Sequence, residues 1–369
     1  MKAIQWIISA LVAVVIIAAA VGGGVYFTRL KSIHSIRKLT DYEDYNLYRM
    51  DIDYAYDLDR LIDRGITDNQ SMINAILAEA LPYLPIHMKA PNFGCSAFCT
   101  QGTDGHTLMG RNYDFKNDTS AMLVYCTPKD GYASVAFAAL DNINANTPDA
   151  SMAKKLATLT APFICLDGMN EKGVSIAVLT LDSDPTYQQT GKPMIATTLA
   201  IRLVLDRAAT TAEAVELLSK YDMFASSGRD YHFYITDASG DGRVLEYDCN
   251  DPARPLTATP SRSVTNFFVM YKDNVLPNQR NGVYGHGRER YDAIEEILDA
   301  NAGSIDREIA WQALQAASQA PNPQDVTSNT QWSILYDNTA LTAEAVIRRD
   351  WNTKTSYDLV SSVAVTDVG

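Results

Sequence analysis

The chain has 369 residues, of which 47% are hydrophobic and 20% are charged, as in an ordinary globular protein rather than a disordered one. Its 44 acidic residues outnumber the 31 basic ones and give a formal net charge of −13. Because phosphate binding requires clustered Lys and Arg side chains, this charge argues against nucleic acid as a partner.

The chain opens with an apolar segment that carries no charge between residues 3 and 28. A helix of this length can cross the roughly 30 Å hydrocarbon layer, so residues 1–28 are predicted to enter a membrane as an anchor or a signal. A cleaved signal has a shorter apolar core of about 7 to 15 residues, which favours an uncleaved anchor. Basic residues after the span favour a cytoplasmic domain, whereas a lone amino-terminal span favours export. We expect a membrane-anchored or secreted protein with an extracytoplasmic domain.

Residues 29–94 differ in composition from the rest of the chain. The stretch "DYEDYNLYRMDIDYAYDLDRLIDRG" is acidic and tyrosine-rich with a helical hydrophobic rhythm, and three prolines interrupt the stretch that leads up to Gly94. Proline breaks regular structure, so this segment is predicted to be a stalk or a pro-segment.

From Cys95 onward, short runs rich in β-branched and aromatic residues arrive in pairs around turn signals such as "TDG" and "DGMNEKG". Helical periodicity lies between and after these pairs, near residues 195–208, 210–221, 290–301 and 305–318. Strand pairs with helices in blocks indicate an α+β layered domain, which we assign to residues 95–369.

The cysteines and histidines do not indicate a metal site. The five histidines are scattered and no CxxC pair is present. The five cysteines are odd in number, so in an exported protein one thiol would stay free or pair with another chain. No metal and no cofactor are predicted, and a homo-oligomer stays open.

One hairpin brings three reactive side chains together. A turn near residues 102–105 would return Arg111 and Asp114 to the side of Cys95. A guanidinium favours the thiolate, and an ionised carboxylate can hold an ammonium or the arginine. The same residue types also fit a buried structural cysteine and a surface ion pair.

Gly94 stands directly before Cys95. If the peptide bond between them is cut, Cys95 acquires an α-amine with a pKa of about 7.7 to 8.0, which can act as a base at neutral pH. A single residue would then supply both nucleophile and base. Residues 29–94 would serve as a removable cover.

The stretch "GCSAFCTQGTDGHTLMGRNYDF" resembles the start of the mature chain in the linear amide hydrolases of the N-terminal nucleophile superfamily. These include the choloylglycine hydrolases, the penicillin V acylases, the isopenicillin N acyltransferases, and the acid ceramidase and N-acylethanolamine amidase group. In that family Arg and Asp follow the nucleophilic Cys at intervals of 16 and 19 residues, as Arg111 and Asp114 follow Cys95 here. The resemblance implies a four-layer αββα sandwich.

Further motifs extend the resemblance to about residue 350. "TNFF" resembles the family's "TN" pair, which implies that Asn266 helps to bind the oxyanion. "RERYDAI" resembles the family's helix-opening Arg-aromatic pair, which implies that Arg290 is a catalytic residue. Arg280 and Arg288 lie near it, and a shifted alignment would select one of them instead. Thr180 stands where the bile salt enzymes carry a substrate-binding Asn, which puts bile salt specificity in doubt.

The resemblance implies that Cys95 attacks an amide carbon, that the amine leaves, and that water hydrolyses the resulting thioester. The expected substrate is a small N-acyl amide with a linear, non-peptide C–N bond. An acyltransferase using the same thioester and a catalytically inactive, membrane-tethered binding module are the alternatives. A papain-type protease is disfavoured, because neither His232 nor His286 has the context that it needs.

Overall fold

Most strands of the protein form two large sheets that lie between layers of helices, and two short strands form a separate parallel pair. The structure is a computed structural model, and it describes residues 23–82, 94–115, 118–280, 282–322 and 329–362. The strands are β1 (Arg37–Lys38), β2 (Leu47–Ile52), β3 (Gly94–Gln101), β4 (Thr107–Asp114), β5 (Ala121–Cys126), β6 (Ser134–Ala139), β7 (Cys165–Asn170), β8 (Ser175–Leu181), β9 (Met194–Ala196), β10 (Asp222–Phe224), β11 (Asp230–Thr236), β12 (Arg243–Tyr247), β13 (Leu256–Pro260), β14 (Ser263–Val264), β15 (Thr330–Asp337), β16 (Thr342–Ile347) and β17 (Thr355–Asp358).

The helices lie in blocks between the strand pairs, as the sequence predicts. The first helix, α1, is described over residues 23–34. The others are α2 (Leu58–Ile62), α3 (Asn69–Ala80), α4 (Met152–Ala157), α5 (Thr197–Arg207), α6 (Thr211–Leu218), α7 (Arg288–Ala300), α8 (Arg307–Ala317) and α9 (Leu359–Ser362). The four segments with predicted helical periodicity correspond to α5, α6, α7 and α8.

The two sheets differ in size. The larger has nine strands in the order β1-β2-β5-β6-β7-β8-β11-β12-β13, and the smaller has six in the order β14-β3-β4-β15-β16-β17. Every residue of β4, β5, β6, β7 and β8 is buried. Of these, β5, β6 and β8 are near-continuous apolar runs, as expected for strands that are covered on both faces, whereas β4 and β7 also carry buried polar residues.

Helices cover the outer face of each sheet. Helix α5 packs on β7 and β8 of the larger sheet, whereas α7 and α8 pack on each other and on β3 and β4 of the smaller one. Strands β3 and β8 bring the two sheets together in the middle. This arrangement confirms the predicted four-layer αββα sandwich.

The described residues before position 83 do not stand apart from this sandwich. Strand β2 pairs in parallel with β5 over six residues, from Leu47 opposite Ala121 to Ile52 opposite Cys126. The Tyr54 hydroxyl donates to the Leu159 carbonyl at 2.5 Å. The sequence predicts a stalk or pro-segment over 29–94, but the structure builds residues 37–80 into the body of the larger sheet and its helices. Tertiary pairing with a strand far along the chain is not visible in local composition.

The predicted membrane segment lies largely outside the described residues, since residues 1–22 are not among them. Within the ranges that the structure describes, no helix combines the length and the apolar character that a membrane crossing requires.

The burial of β2 predicts a stability effect. Met50 is fully buried beside Val124 of β5, so Met50→Ala should lower the free energy of unfolding by about 2–5 kcal/mol. Glu43→Ala, at an exposed position in the preceding loop, should change it by less than about 0.5 kcal/mol. Urea unfolding of the full chain measures both. Equal unfolding midpoints for the two variants would mean that residues 37–80 are not part of the domain.

Candidate active site

Cys95 lies on the second strand from the edge of the six-stranded sheet, in a hairpin with β4. The turn needs Gly105, whose φ of +82° is a left-handed conformation that favours glycine. The resulting register sets Cys95 opposite Tyr113 and Ala97 opposite Arg111, with Gly94 opposite Asp114. The hairpin therefore returns Arg111 and Asp114 to the neighbourhood of Cys95, as the sequence predicts.

The Arg111 side chain lies between the two sheets. Its Nε donates to Asp167 Oδ2 at 3.2 Å, and both side chains are fully buried. Asp167 is on β7 of the opposite sheet, and it also accepts from Trp332 Nε1 at 3.2 Å and from the Tyr336 hydroxyl at 2.6 Å. Burial raises the pKa of the Asp167 carboxyl, while Arg111 lowers it.

Asp167 is a site residue that sequence reasoning missed. It stands in "LDGMNEKG", which the sequence analysis uses only as a hairpin signal. An acidic residue within an otherwise apolar strand was the available clue, because a buried carboxylate needs a partner.

Asp114 lies on the opposite face of the smaller sheet from Arg111. Its carboxylate accepts from Thr330 Oγ1 at 2.6 Å and from Gln319 Nε2 at 2.7 Å, and it lies 3.4 Å from Arg290 Nη1. Burial raises the pKa of the Asp114 carboxyl, and Arg290 acts against that rise. Of the two roles predicted for Asp114, the structure is consistent with holding an arginine, but that arginine is Arg290.

Arg290 reaches Cys95 from the first turn of α7. Its Nη1 donates to the Cys95 carbonyl at 2.8 Å, and its Nη2 donates to Asn266 Oδ1 at 2.7 Å. Gly287 precedes the helix with a φ of +87°, and a Cβ at that position would lie 2.4 Å from Arg290 Nη2. The neighbouring Arg288 instead contacts Asp292 and the Lys272 carbonyl. Arg290 is therefore the arginine of this helix that contacts Cys95.

Asn266 holds the main-chain nitrogen of Cys95. The Cys95 N–H donates to Asn266 Oδ1 at 3.0 Å, and because Arg290 also donates to this oxygen, the amide orientation is determined. Asn266 Nδ2 donates to the Thr180 carbonyl at 2.9 Å and lies 3.3 Å from the Thr180 hydroxyl. Thr180, which is predicted to contact the substrate, therefore contacts Asn266, which is predicted to help bind the oxyanion.

The Cys95 thiol is protonated at neutral pH in this environment. Burial raises its pKa to about 11, although the Arg111 guanidinium and a hydrogen bond from the Asp114 backbone lower it. The direction of the arginine effect follows from the sequence, but the larger opposing effect of burial does not. A base close to the sulfur is therefore needed for nucleophilic attack.

The chain is similar to known proteins in part of its sequence and in its fold. Residues 95–251 match the model of the linear amide C-N hydrolases, choloylglycine hydrolase family. Two variants of the conjugated bile acid hydrolase from Clostridium perfringens have similar structures, with TM-scores of 0.53 and 0.52 and 15% identity over 72% of this chain and 93% of theirs. Penicillin V acylase from Agrobacterium tumefaciens has a TM-score of 0.51 and 18% identity over 71% of this chain and 84% of that one.

The fold is therefore the one found in these bile acid hydrolase and penicillin V acylase structures. The match over residues 95–251 confirms the resemblance that the motifs indicate: this part of the chain is similar to the linear amide C-N hydrolases of the choloylglycine hydrolase family. Across the described residues, no group of three or more His, Cys, Asp or Glu side chains is arranged to hold a metal ion.

The buried pair of Arg111 and Asp167 predicts a large effect of removing its negative charge. Asp167→Asn leaves the guanidinium buried without a carboxylate, which should lower the free energy of unfolding by about 3–5 kcal/mol. Asp241→Asn removes the partner of Arg243 in a pair that is about one third exposed, and should cost about 1 kcal/mol or less. Chemical denaturation of both variants provides the measurement. A small effect of Asp167→Asn would show that Arg111 does not depend on this carboxylate.

Proposed function

We propose that Cys95 is the nucleophile of this amidohydrolase and that it acts after cleavage between Gly94 and Cys95. The convergence of side chains on one residue supports this role most strongly: Arg290 binds the Cys95 carbonyl, Asn266 binds its nitrogen, and Arg111 acts on its thiol.

Cys99, four residues further along β3, lacks this environment. Its main-chain nitrogen donates to the Arg262 carbonyl, and its sulfur accepts from the Thr236 hydroxyl at 3.1 Å. Burial raises the pKa of this thiol to about 11 as well, but no arginine lowers it. The contrast within one strand favours Cys95 over Cys99 as the reactive residue.

Cleavage of the peptide bond before Cys95 would supply the missing base. Hydrolysis there leaves a carboxylate on Gly94 and an α-amine on Cys95, with an ordinary pKa of about 7.7 to 8.0. The nitrogen that becomes this amine already lies 3.0 Å from Asn266 Oδ1, so the amine would form in an oriented position. Attack of the Cys95 sulfur on the Gly94 carbonyl, followed by water, is the autoprocessing route that fits this arrangement.

In the mature enzyme the amine takes the thiol proton, and the sulfur forms a bond to the substrate carbonyl carbon. The C–N bond then breaks as the amine returns the proton to the leaving nitrogen, which leaves a thioester. A water molecule attacks this thioester, the C–S bond breaks, and a carboxylic acid and the free thiol result. Apart from the substrate itself, each step uses only water and groups of Cys95 as reactants.

The oxyanion formed in each attack needs hydrogen-bond donors. Asn266 Nδ2 carries two hydrogens, one of which donates to the Thr180 carbonyl. The other faces the Thr180 hydroxyl at the longer distance of 3.3 Å, and an oxyanion would be a stronger acceptor than this hydroxyl. A backbone N–H of β8 is the proposed second donor.

The proposed substrate is an N-acyl amide in which an apolar acyl group is joined to an amino acid or an amine. The names of the similar structures, a conjugated bile acid hydrolase and a penicillin V acylase, support this class. Thr180 stands where an amide side chain would be required for a bile salt, so we favour other N-acyl amides.

The cleavage proposal predicts a defined change in mass. Purified wild-type protein should contain a fragment that begins with Cys95. The Cys95→Ala variant should remain uncleaved and inactive, because it lacks the sulfur that both the cleavage and the attack on substrate require. Cys99→Ala should be processed and active, since Cys99 is a structural thiol of the same strand. Intact-mass spectrometry, amino-terminal sequencing and hydrolysis of a panel of N-acyl amides measure these outcomes. An active enzyme whose Cys95 nitrogen is still in a peptide bond would refute the proposal.

We further propose that residues 1–28 attach the protein to a membrane and that the enzyme domain is extracytoplasmic. The absence of charge between residues 3 and 28 supports this proposal. The full chain should float with vesicles in a density gradient and resist extraction by alkaline carbonate. A variant lacking residues 2–28 should stay with the unbound fraction, and protease added outside intact cells should digest only an exported domain. Carbonate-soluble full-length protein would contradict the anchor.

A further inference from the structure

We propose that His232 and Glu246 form a buried charged pair that positions Asn266 for catalysis. This inference rests on the proposed function, because it gives Asn266 the role of oxyanion donor. His232 lies on β11 and Glu246 on the adjacent strand β12, and both side chains are fully buried. Neither residue is among the site residues that the sequence predicts.

Both ring nitrogens of His232 face hydrogen-bond acceptors. Nδ1 lies 3.1 Å from Glu246 Oε1, and Nε2 lies 2.9 Å from the Thr265 carbonyl oxygen. A carbonyl oxygen cannot donate, and a neutral imidazole has only one N–H. The ring can satisfy both contacts only as an imidazolium, provided that Glu246 is ionised.

The remaining contacts of Glu246 favour the ionised form. Its Oε1 accepts from the Val269 N–H at 2.6 Å, and its Oε2 accepts from the Met270 N–H at 3.0 Å. With the contact from His232, the carboxylate accepts three hydrogen bonds. A buried anion with three donors, one of them cationic, is a stable arrangement, whereas a protonated carboxyl would lose acceptor capacity.

The pair holds the chain on both sides of Asn266. His232 binds the carbonyl of Thr265, the residue directly before Asn266, and Glu246 binds main-chain nitrogens three and four residues after it. The Asn266 carbonyl itself accepts from the His286 N–H at 2.9 Å. The main chain around Asn266 is therefore fixed by buried charges, while its side chain is fixed by Arg290 and Thr180.

Precise placement matters at this position. An oxyanion donor acts at 2.7–3.1 Å, and a misplacement of about 1 Å can reduce the rate by about 100-fold. Because this interaction strengthens in the transition state, its loss lowers kcat more than it changes KM. His232 and Glu246 are positioning residues, since they reach the reaction only through Asn266.

Steady-state kinetics of His232 variants test the role. His232→Leu removes both contacts and should reduce kcat by about 10- to 100-fold with KM within about twofold of wild type. His232→Gln keeps an N–H donor for the Thr265 carbonyl but no charge, and should restore part of kcat. His106→Leu is the matched control, because His106 also lies beside a carboxylate, Asp337, at 2.8 Å but outside the site. It should leave kcat and KM unchanged.

Two measurements on the protein do not depend on turnover. Nuclear magnetic resonance of ring-¹⁵N-labelled histidine, assigned with His232→Gln, should show both His232 nitrogens protonated at pH 7. Hydrogen exchange should become faster at the main-chain amides of residues 266–270 in Glu246→Gln, and stay unchanged in His106→Leu. Either result can be obtained even if a leucine variant does not fold.

The outcomes separate the two proposals. A wild-type chain that hydrolyses no N-acyl amide refutes the proposed function, while the resonance and exchange measurements still decide whether the charged pair fixes residues 265–270. A neutral His232 ring, unchanged exchange, or a folded His232→Leu with wild-type kcat overturns the positioning role.

Discussion

The contact between Arg111 and Asp167 is the constraint on which the site depends. It joins β4 of the smaller sheet to β7 of the larger one through a fully buried ion pair. A guanidinium in a dry interior is tolerated only with a compensating carboxylate, and this carboxylate is itself fixed by Trp332 and Tyr336. The positive charge that acts on the Cys95 thiol is thus held in place by packing between the sheets.

Two arginines act on the same cysteine from opposite faces of one sheet. Arg111 lies between the sheets and acts on the sulfur, whereas Arg290 comes from α7 on the outer side and binds the main-chain carbonyl. Each has its own buried carboxylate, Asp167 or Asp114. Strand alternation explains why the two arginines lie on different faces of the sheet. Arg111 and Asp114 are an odd number of residues apart on β4 and point to different faces, and Asp114 is the carboxylate beside Arg290.

Local signals were sufficient to predict part of this site. The hairpin follows from its turn and its flanking strands, so the approach of Arg111 and Asp114 to Cys95 was visible in the sequence. The contacts of Asp167, and those of Thr180 with Asn266, depend on how distant strands pack, which no local pattern records. The same limit applies to residues 29–94, which were predicted to be a stalk or a pro-segment, since β2 finds its partner strand some 70 positions away.

The pairing of β2 with β5 has a consequence for the matured enzyme. If the chain is cut before Cys95, the upstream piece still contributes a strand to the nine-stranded sheet, together with the buried side chains of Leu47 and Met50. The product would be two chains that stay associated, because the hydrogen bonds between β2 and β5 hold them together after the peptide bond is cut. If the amino terminus is anchored in a membrane, residues 95–369 would then be attached to that anchor only by hydrogen bonds and apolar contacts. The two fragments would separate only when the larger sheet unfolds.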